Sequence, residues 1–92
     1  MPEYRPVWIA NFLNIDSVRQ KLGSKYGIDV DLLEEYSKFN SHLRGYDEWH
    51  SRHGLRTVIQ IPMPNGKYIR AVIELVDNEN DSWIIRTARY LK

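Results

Sequence analysis

The sequence LRTVIQIPMPNGKYIRAVIELVDNENDSWIIRTARYL, residues 55–91, predicts three consecutive antiparallel β-strands. It is rich in the β-branched and aromatic residues typical of a half-buried sheet. The Asn65-Gly66 pair tolerates positive φ at both central turn positions, so it predicts a two-residue type I′ hairpin. Pro62 and Pro64 precede this turn and cannot donate hydrogen bonds to a ladder. We therefore expect the first strand to lie at a sheet edge or to bend there.

The second connection is predicted at residues 77–81, which contain no apolar side chain. Pairing across the first turn puts Ile61 opposite Arg70, and pairing Val76 with Trp83 puts Arg89 opposite Arg70 as well. A slip of one residue would bring Arg86 there instead. Alternation along the second strand gives two sets of side chains, one entirely apolar and one mixed. We expect the apolar set to face the helices and the mixed set to lie on an open face. The apolar set is Ile69, Ala71, Ile73 and Leu75, and the mixed set is Tyr68, Arg70, Val72 and Glu74.

Two short helices are predicted before the strands. Asn14 or Asp16 can cap a helix that runs to about Tyr26, where Gly27 stops it. Asp29 can cap a second helix, with acidic residues in its first turns. The apolar stripe expected on this second helix consists of Leu32, Leu33, Tyr36 and Phe39. Residues 5–10 predict an N-terminal strand, so the expected class is α+β, with two N-terminal helices packed on one face of a small, mainly antiparallel sheet.

The composition predicts a single domain over residues 1–92. The chain has no cysteine, no signal-peptide pattern and no apolar run of about 20 residues, so we expect a cytoplasmic protein without a membrane segment. The net charge of +1 hides an uneven distribution: residues 52–92 carry seven Lys/Arg against four Asp/Glu. These cations predict either solvated strand faces or an anion site on the sheet.

Residues 40–54 show no clean period and predict a loop, with at most one irregular strand. The segment contains His42, His50 and His53, together with Trp49. Zinc binding by the three histidines is a minor alternative, because the chain has no cysteine and no second regular ligand pair.

The order of these segments resembles the BrnT toxins of type II toxin–antitoxin modules, within the RelE/ParE-like superfamily. The similarity covers roughly residues 6–91 and rests most specifically on the closing strand, where Ile85, Ala88 and Arg89 match an Ile-x-x-Ala-Arg type ending. A second match is the turn between the helices. It consists of Lys25, Gly27 and Ile28.

The resemblance implies a RelE-like fold and a toxin that cleaves RNA, such as mRNA, without a metal or cofactor and so inhibits translation. It also implies a small cognate antitoxin with a ribbon-helix-helix type DNA-binding domain, and dimerisation through or with that antitoxin. Cleavage of this kind uses the 2′-hydroxyl of the RNA as nucleophile. It requires a base, a cation for the crowded phosphorane and an acid for the leaving 5′-oxygen.

Arginine suits the cationic role because its planar fork holds two phosphate oxygens. Arg89 is the first candidate by the resemblance, followed by Arg56, while Arg70 follows from strand alternation alone. His53 is the preferred proton-transfer group because histidine titrates near neutral pH. His50 and Tyr68 are weaker choices for that role. The expected substrate-binding residues are Tyr68, Lys67, Arg86 and Tyr90, with Trp49 as a further stacking candidate.

Two other function classes fit the same residues. One is a binding module that grips RNA or a protein without catalysis, and the other is an inhibitor that covers another toxin's site. A ribonuclease should arrest growth on expression and lose that effect with Arg89→Ala, whereas a binder or inhibitor should be harmless.

Overall fold

The computed structural model describes residues 3–91 and has an α+β fold. Two helices pack on one face of a six-stranded, mostly antiparallel, curled sheet. The helices are α1 (Ile15–Tyr26) and α2 (Val30–Ser37). The strands are β1 (Arg5–Pro6), β2 (Asn11–Phe12), β3 (Arg44–His50), β4 (Gly54–Pro62), β5 (Tyr68–Asp77) and β6 (Ser82–Tyr90).

The sheet order is β1-β3-β4-β5-β6-β2, with β2 parallel to β6 and every other pair antiparallel. The three strands predicted for residues 55–91 are therefore confirmed. The prediction of an edge position for β4 is wrong, because β3 pairs with residues 54–59 of β4 and β5 pairs on its other side. Pro62 does not interrupt this pairing because it is the last residue of β4.

The helix boundaries follow the capping residues. Gly27 has φ 66° and closes α1 in the left-handed region, and the Asp29 carboxylate accepts from the backbone N–H groups of Asp31 and Leu32. The apolar stripe expected on α2 is only partly right. Leu33 is buried, but the helix ends at Ser37 and Phe39 lies beyond it, exposed.

The predicted N-terminal strand over residues 5–10 is replaced by two short pairings at opposite edges of the sheet. Between them the chain crosses the helix side of the sheet, where Val7 and Ile9 are buried in the core. Ile9 accepts a backbone hydrogen bond from Phe39 at 2.8 Å, and Val7 donates one to Leu43 at 3.0 Å. The segment therefore serves as part of the core layer.

The first hairpin differs from the prediction by one residue of register. The Gly66 N–H donates to Met63 O at 3.1 Å, the Met63 N–H donates to Lys67 O at 2.9 Å, and Gly66 has φ 81°. This is a loop of three residues, 64–66, closed by a glycine bulge, in place of a two-residue type I′ turn. Ile61 consequently faces Ile69, and the odd-numbered isoleucines of β4 lie on the helix side.

The second hairpin has its loop at residues 78–81, as predicted. Arg70 faces Arg89, which confirms that pairing, but Trp83 faces Leu75 and not Val76. The register shifts twice along this strand pair, and one shift leaves Arg86 as an extra residue in β6.

The prediction for residues 40–54, a loop with at most one irregular strand, is partly right: residues 44–50 form one strand, β3, which pairs regularly with β4. At its start, Gly45 packs so tightly that a Cβ atom there would lie 2.5 Å from Val58 O and 2.8 Å from Ile59 Cγ2. This close approach lets the N-terminal segment pack against the sheet. Within residues 3–91, no helix is long and apolar enough to cross a bilayer.

Candidate functional site

One side of the sheet carries no helix, and we call it the open face. Alternation along the central strands places four arginines and two glutamates on this face, and Arg86, at the bulge of β6, joins them through its hydrogen bond to Glu74. They form two groups separated by an apolar strip. The upper row contains Arg44, Gln60, Arg70 and Arg89, and the lower cluster contains Glu48, Arg56, Glu74 and Arg86.

The upper row crosses four neighbouring strands. Gln60 pairs with Arg70, and Arg70 pairs with Arg89. Continuing the β3–β4 register by one residue from Gly45–Ile59 places Arg44 across from Gln60. Three steps between neighbouring strands span roughly 14 Å. The row is therefore a line of cations running perpendicular to the strands.

The cations of the upper row have few counter-charges. Arg70 Nη2 lies 3.7 Å from Glu48 Oε2, an ion pair without a hydrogen bond. Within residues 3–91, neither Arg44 nor Arg89 forms an ion pair. Directly opposed like charges destabilise a strand pair unless an anion lies near them. The Glu48 carboxylate offsets part of the charge of the Arg70–Arg89 pair, and Arg89 has no ion-pair partner within residues 3–91.

An apolar strip separates the two groups. Val58 pairs with Val72, and the two side chains are only 1% and 3% exposed although no helix covers them. Tyr46 and Thr87 continue this strip on either side and are half-buried. The surrounding side chains therefore seal the strip, as expected where arginine stems lie along apolar surface.

The lower cluster is better compensated. Arg86 Nη2 donates to Glu74 Oε2 at 3.0 Å, while its Nε lies 2.9 Å from Oε1 without a directed hydrogen bond. Arg56 lies across from Glu48. Its Nε is buried and, among the described residues, has no hydrogen-bond partner. The cluster thus contains one closely held arginine and one arginine with a free donor.

The ionisation of Glu74 reflects these neighbours. The hydrogen bond from Arg86 lowers the pKa of Glu74 most strongly, burial opposes this effect, and the charges of Arg86, Arg56 and His53 lower it further. Glu74 is therefore ionised at neutral pH. It can orient arginines, but it is a weak proton acceptor.

Two histidines lie beside this cluster, at the turn between β3 and β4. The rings of His50 and His53 stack with a centroid separation of 4.7 Å. The Nδ1 atom of His50 accepts from the backbone N–H groups of Arg52 and His53 at 3.1 and 3.3 Å. The neutral His50 ring therefore carries its proton on Nε2.

The structure brings together only some of the predicted site residues. Glu74 and Arg70 are four residues apart on β5, so His53, beside the lower cluster, lies roughly 13 Å along the strand from the Arg70–Arg89 pair. Arg56 and His53 share the lower cluster, whereas Arg70 and Arg89 form the upper row. The four predicted catalytic residues therefore do not meet at one point.

The predicted substrate-binding residues are divided in the same way. Tyr68 is exposed on the open face, and Arg86 belongs to the lower cluster. Tyr90 pairs with Ile69 on the helix side and packs against the core, on the side of the sheet opposite the arginines. The Lys67 Nζ atom lies 5.8 Å from the centre of the Tyr90 ring. Trp49 also alternates to the helix side.

The sequence does not single out Arg44 and Glu48, because residues 40–54 predict a loop with at most one irregular strand. The signal was present as alternation: Arg44, Tyr46, Glu48 and His50 share one side of β3. Because both sides of this strand carry polar residues, the two-residue alternation is not visible as an apolar–polar pattern. Within residues 3–91, no group of three or more His, Asp or Glu side chains is arranged to hold a metal ion.

The positive charge of the chain is concentrated on the open face. Five arginines and two glutamates give this face a charge of +3, and the net charge of the chain is +1. The remainder of the chain therefore carries −2 by difference. An approaching anion is attracted to one side of the sheet.

Comparisons of the chain with models of protein families, with curated proteins and with solved structures gave no match.

Proposed function

We propose that the open face binds RNA and that this chain is the toxin of a type II toxin–antitoxin module, a metal-independent endoribonuclease that blocks translation. The observation that carries the proposal is the collection of five arginines on an uncovered sheet face that holds only two carboxylates. The resemblance of the closing strand to BrnT toxins supports the same function.

The upper row suits the RNA backbone. Arg44, Arg70 and Arg89 each offer a planar fork that can hold two phosphate oxygens. They lie in one line, and the arginines of the lower cluster face Glu48 and Glu74. A single line of cations matches the single line of phosphates along one RNA strand. Exposed Tyr68 is two residues from Arg70 on the same face, where it can stack on a base.

The lower cluster offers the groups that cleavage needs. His53 would remove the proton from the 2′-hydroxyl, whose oxygen then attacks phosphorus as the bond to the 5′-oxygen breaks. The half-buried Arg56 guanidinium would stabilise the charge that develops on the phosphorane. The Nε2–H group of His50 is available as a hydrogen-bond donor to the leaving oxygen. The products would be a 2′,3′-cyclic phosphate and a 5′-hydroxyl.

The resemblance also supplies the partner and the location in this proposal. The toxin would act in the cytoplasm and be neutralised by a small antitoxin with a ribbon-helix-helix type DNA-binding domain, with dimers formed through or with that antitoxin. A reading frame of about 50–100 residues for such a protein beside the gene is expected.

The test is incubation of purified protein with total RNA in excess EDTA. We expect fragments that end in 2′,3′-cyclic phosphate. Arg89→Ala should weaken RNA binding and cleavage together, and His53→Ala should lose cleavage but keep binding. Lys21→Ala, an exposed charge change on α1, serves as the matched control. Equal cleavage by wild type and both open-face variants would show that a contaminating nuclease causes it.

One observation favours a second candidate, a module that binds RNA without cutting it. His53 lies roughly 13 Å from the Arg70–Arg89 pair along the strand direction. The arginines proposed to bind the RNA backbone are therefore separated from the histidine proposed to transfer the proton. Retention of intact RNA by wild-type protein, weakened by Arg89→Ala and not by Lys21→Ala, would establish this second function.

A further inference from the structure

The helix side of the sheet carries an exposed apolar row at the end nearest the β3–β4 turn. We call the row formed by Trp49, Leu55 and Leu75 the apolar shelf. Trp49 pairs with Leu55, and extending the β4–β5 register by two residues from Thr57–Ile73 places Leu75 beside Leu55. The three side chains are 74%, 62% and 47% exposed.

The apolar shelf is an extension of the core. Leu75 pairs with Trp83, which is 3% exposed and donates its indole N–H to Trp8 O at 3.0 Å. One row of four large apolar residues is therefore buried at one end and open at the other. Single exposed apolar residues are ordinary on protein surfaces, but a contiguous row continuous with the core is typical of an interaction site.

The charges beside the apolar shelf are mainly acidic. Asp77, Glu79 and Asp81 lie in or next to the loop that follows Leu75. Within residues 3–91, none of these three carboxylates forms an ion pair. Asp47, two residues before Trp49 on the same side of β3, already binds Arg5 at 2.9 Å. A segment that covers the shelf would therefore meet uncompensated negative charge at one end.

A second copy of the chain is a poor occupant. Each standard interface buries about 800 Å² per partner, and a large aromatic side chain contributes roughly 150–250 Å². One tryptophan and two leucines fall short of that area.

We propose that the apolar shelf is a docking site for a cationic amphipathic helix of a partner protein. The apolar stripe of that helix would cover Trp49, Leu55 and Leu75, and its Lys or Arg residues would meet Asp77, Glu79 and Asp81. The area fits one helix laid on a shallow surface, recognised through residues spaced three and four apart.

The site is independent of RNA binding. Trp49 and Leu55 alternate to the side opposite Glu48 and Arg56, so the shelf and the open face lie on opposite sides of the sheet. A helix bound there would leave the upper row free. The partner would therefore bind the protein together with RNA and would not compete with it.

The test uses a synthetic helical peptide with leucine at positions i, i+3, i+4 and i+7 and lysine elsewhere, titrated by calorimetry. Leu55→Asn and Trp49→Gln should each weaken binding at least tenfold. Phe39→Gln, which removes another exposed apolar side chain, should leave it unchanged. A matched peptide with glutamate in place of lysine should bind at least tenfold more weakly.

Asp77→Asn combined with Glu79→Gln keeps the shelf intact and provides a second variant. It should reduce the salt dependence of peptide binding. RNA affinity should be equal with and without the peptide. Equal binding of both peptides, equal loss with Phe39→Gln, or a concentration-dependent dimer abolished by Trp49→Gln would overturn the proposal.

Discussion

Removal of one upper-row arginine should change the salt dependence of RNA binding by a predictable amount. Arg44, Arg70 and Arg89 are three cations in one line, and Arg44 and Arg89 have no ion pair within residues 3–91. Each phosphate neutralised on a single strand contributes about −0.7 to the slope of log K against log salt, so three contacts predict about −2.1.

This slope corresponds to an affinity loss of about 18-fold between 50 and 200 mM salt. Arg89→Ala and Arg44→Ala should each bring the slope to about −1.4, with an affinity loss of about sevenfold over the same range. The assay is fluorescence anisotropy with a labelled RNA oligomer at four or more salt concentrations.

Lys21→Ala makes the same change in net charge on the helix side and should leave the slope at the wild-type value. The reasoning is refuted if Lys21→Ala changes the slope as much as Arg89→Ala does. A wild-type slope near zero would likewise refute it, because RNA would then be held without phosphate contacts.

Three further predictions concern the scaffold. Gly45→Ala should destabilise the fold by about 1–3 kcal/mol in urea, because its Cβ atom would meet the Val58 carbonyl. Asn14→Ala should cost about 1–3 kcal/mol in the same assay, because the Asn14 amide satisfies both backbone groups of Ile85. Arginine contact lowers the pKa of Glu74, so its stabilising contribution is present above the unfolded value near 4.5 and is lost as pH falls through the folded value. In Glu74→Gln, the free energy of unfolding should therefore fall less steeply as the pH is lowered through the acidic range.

The sequence predicts the parts of the fold that local chemistry controls. Gly27 and Asp29 mark helix ends through properties of single residues, and both positions are confirmed. The hairpin register depends on a choice between turns of two and three residues. Pro64 has its φ preset for the first central position of a type I turn, which favours the longer loop before Gly66. The one additional loop residue shifts the register of the hairpin by one, and every side chain of β4 therefore points to the side opposite the predicted one.

The sequence does not predict β3 as a regular strand, because most of its residues are polar on both sides. One side of β3 faces a surface without helices and carries Arg44, Tyr46 and Glu48. The strand therefore lacks the alternation of apolar and polar residues that would predict it. The position of Arg70 on the open face follows from alternation within β5, which a register slip does not alter, whereas the choice of Arg89 as its neighbour depends on the register of β6. The distance between His53 and Arg89 depends on how far apart they lie along the strand direction. Only the pairing of all the strands fixes that distance, and the local sequence does not show it.

The most direct test is a titration with a short single-stranded RNA, followed by NMR of the arginine Nε–H groups. The signals of Arg44, Arg70 and Arg89 should shift together and saturate at one RNA concentration, while those of Arg5 and Arg19, on the other side of the molecule, should stay in place. Shifts confined to Arg5 and Arg19, or none at all at saturating RNA, would contradict an RNA site on the uncovered side of the sheet.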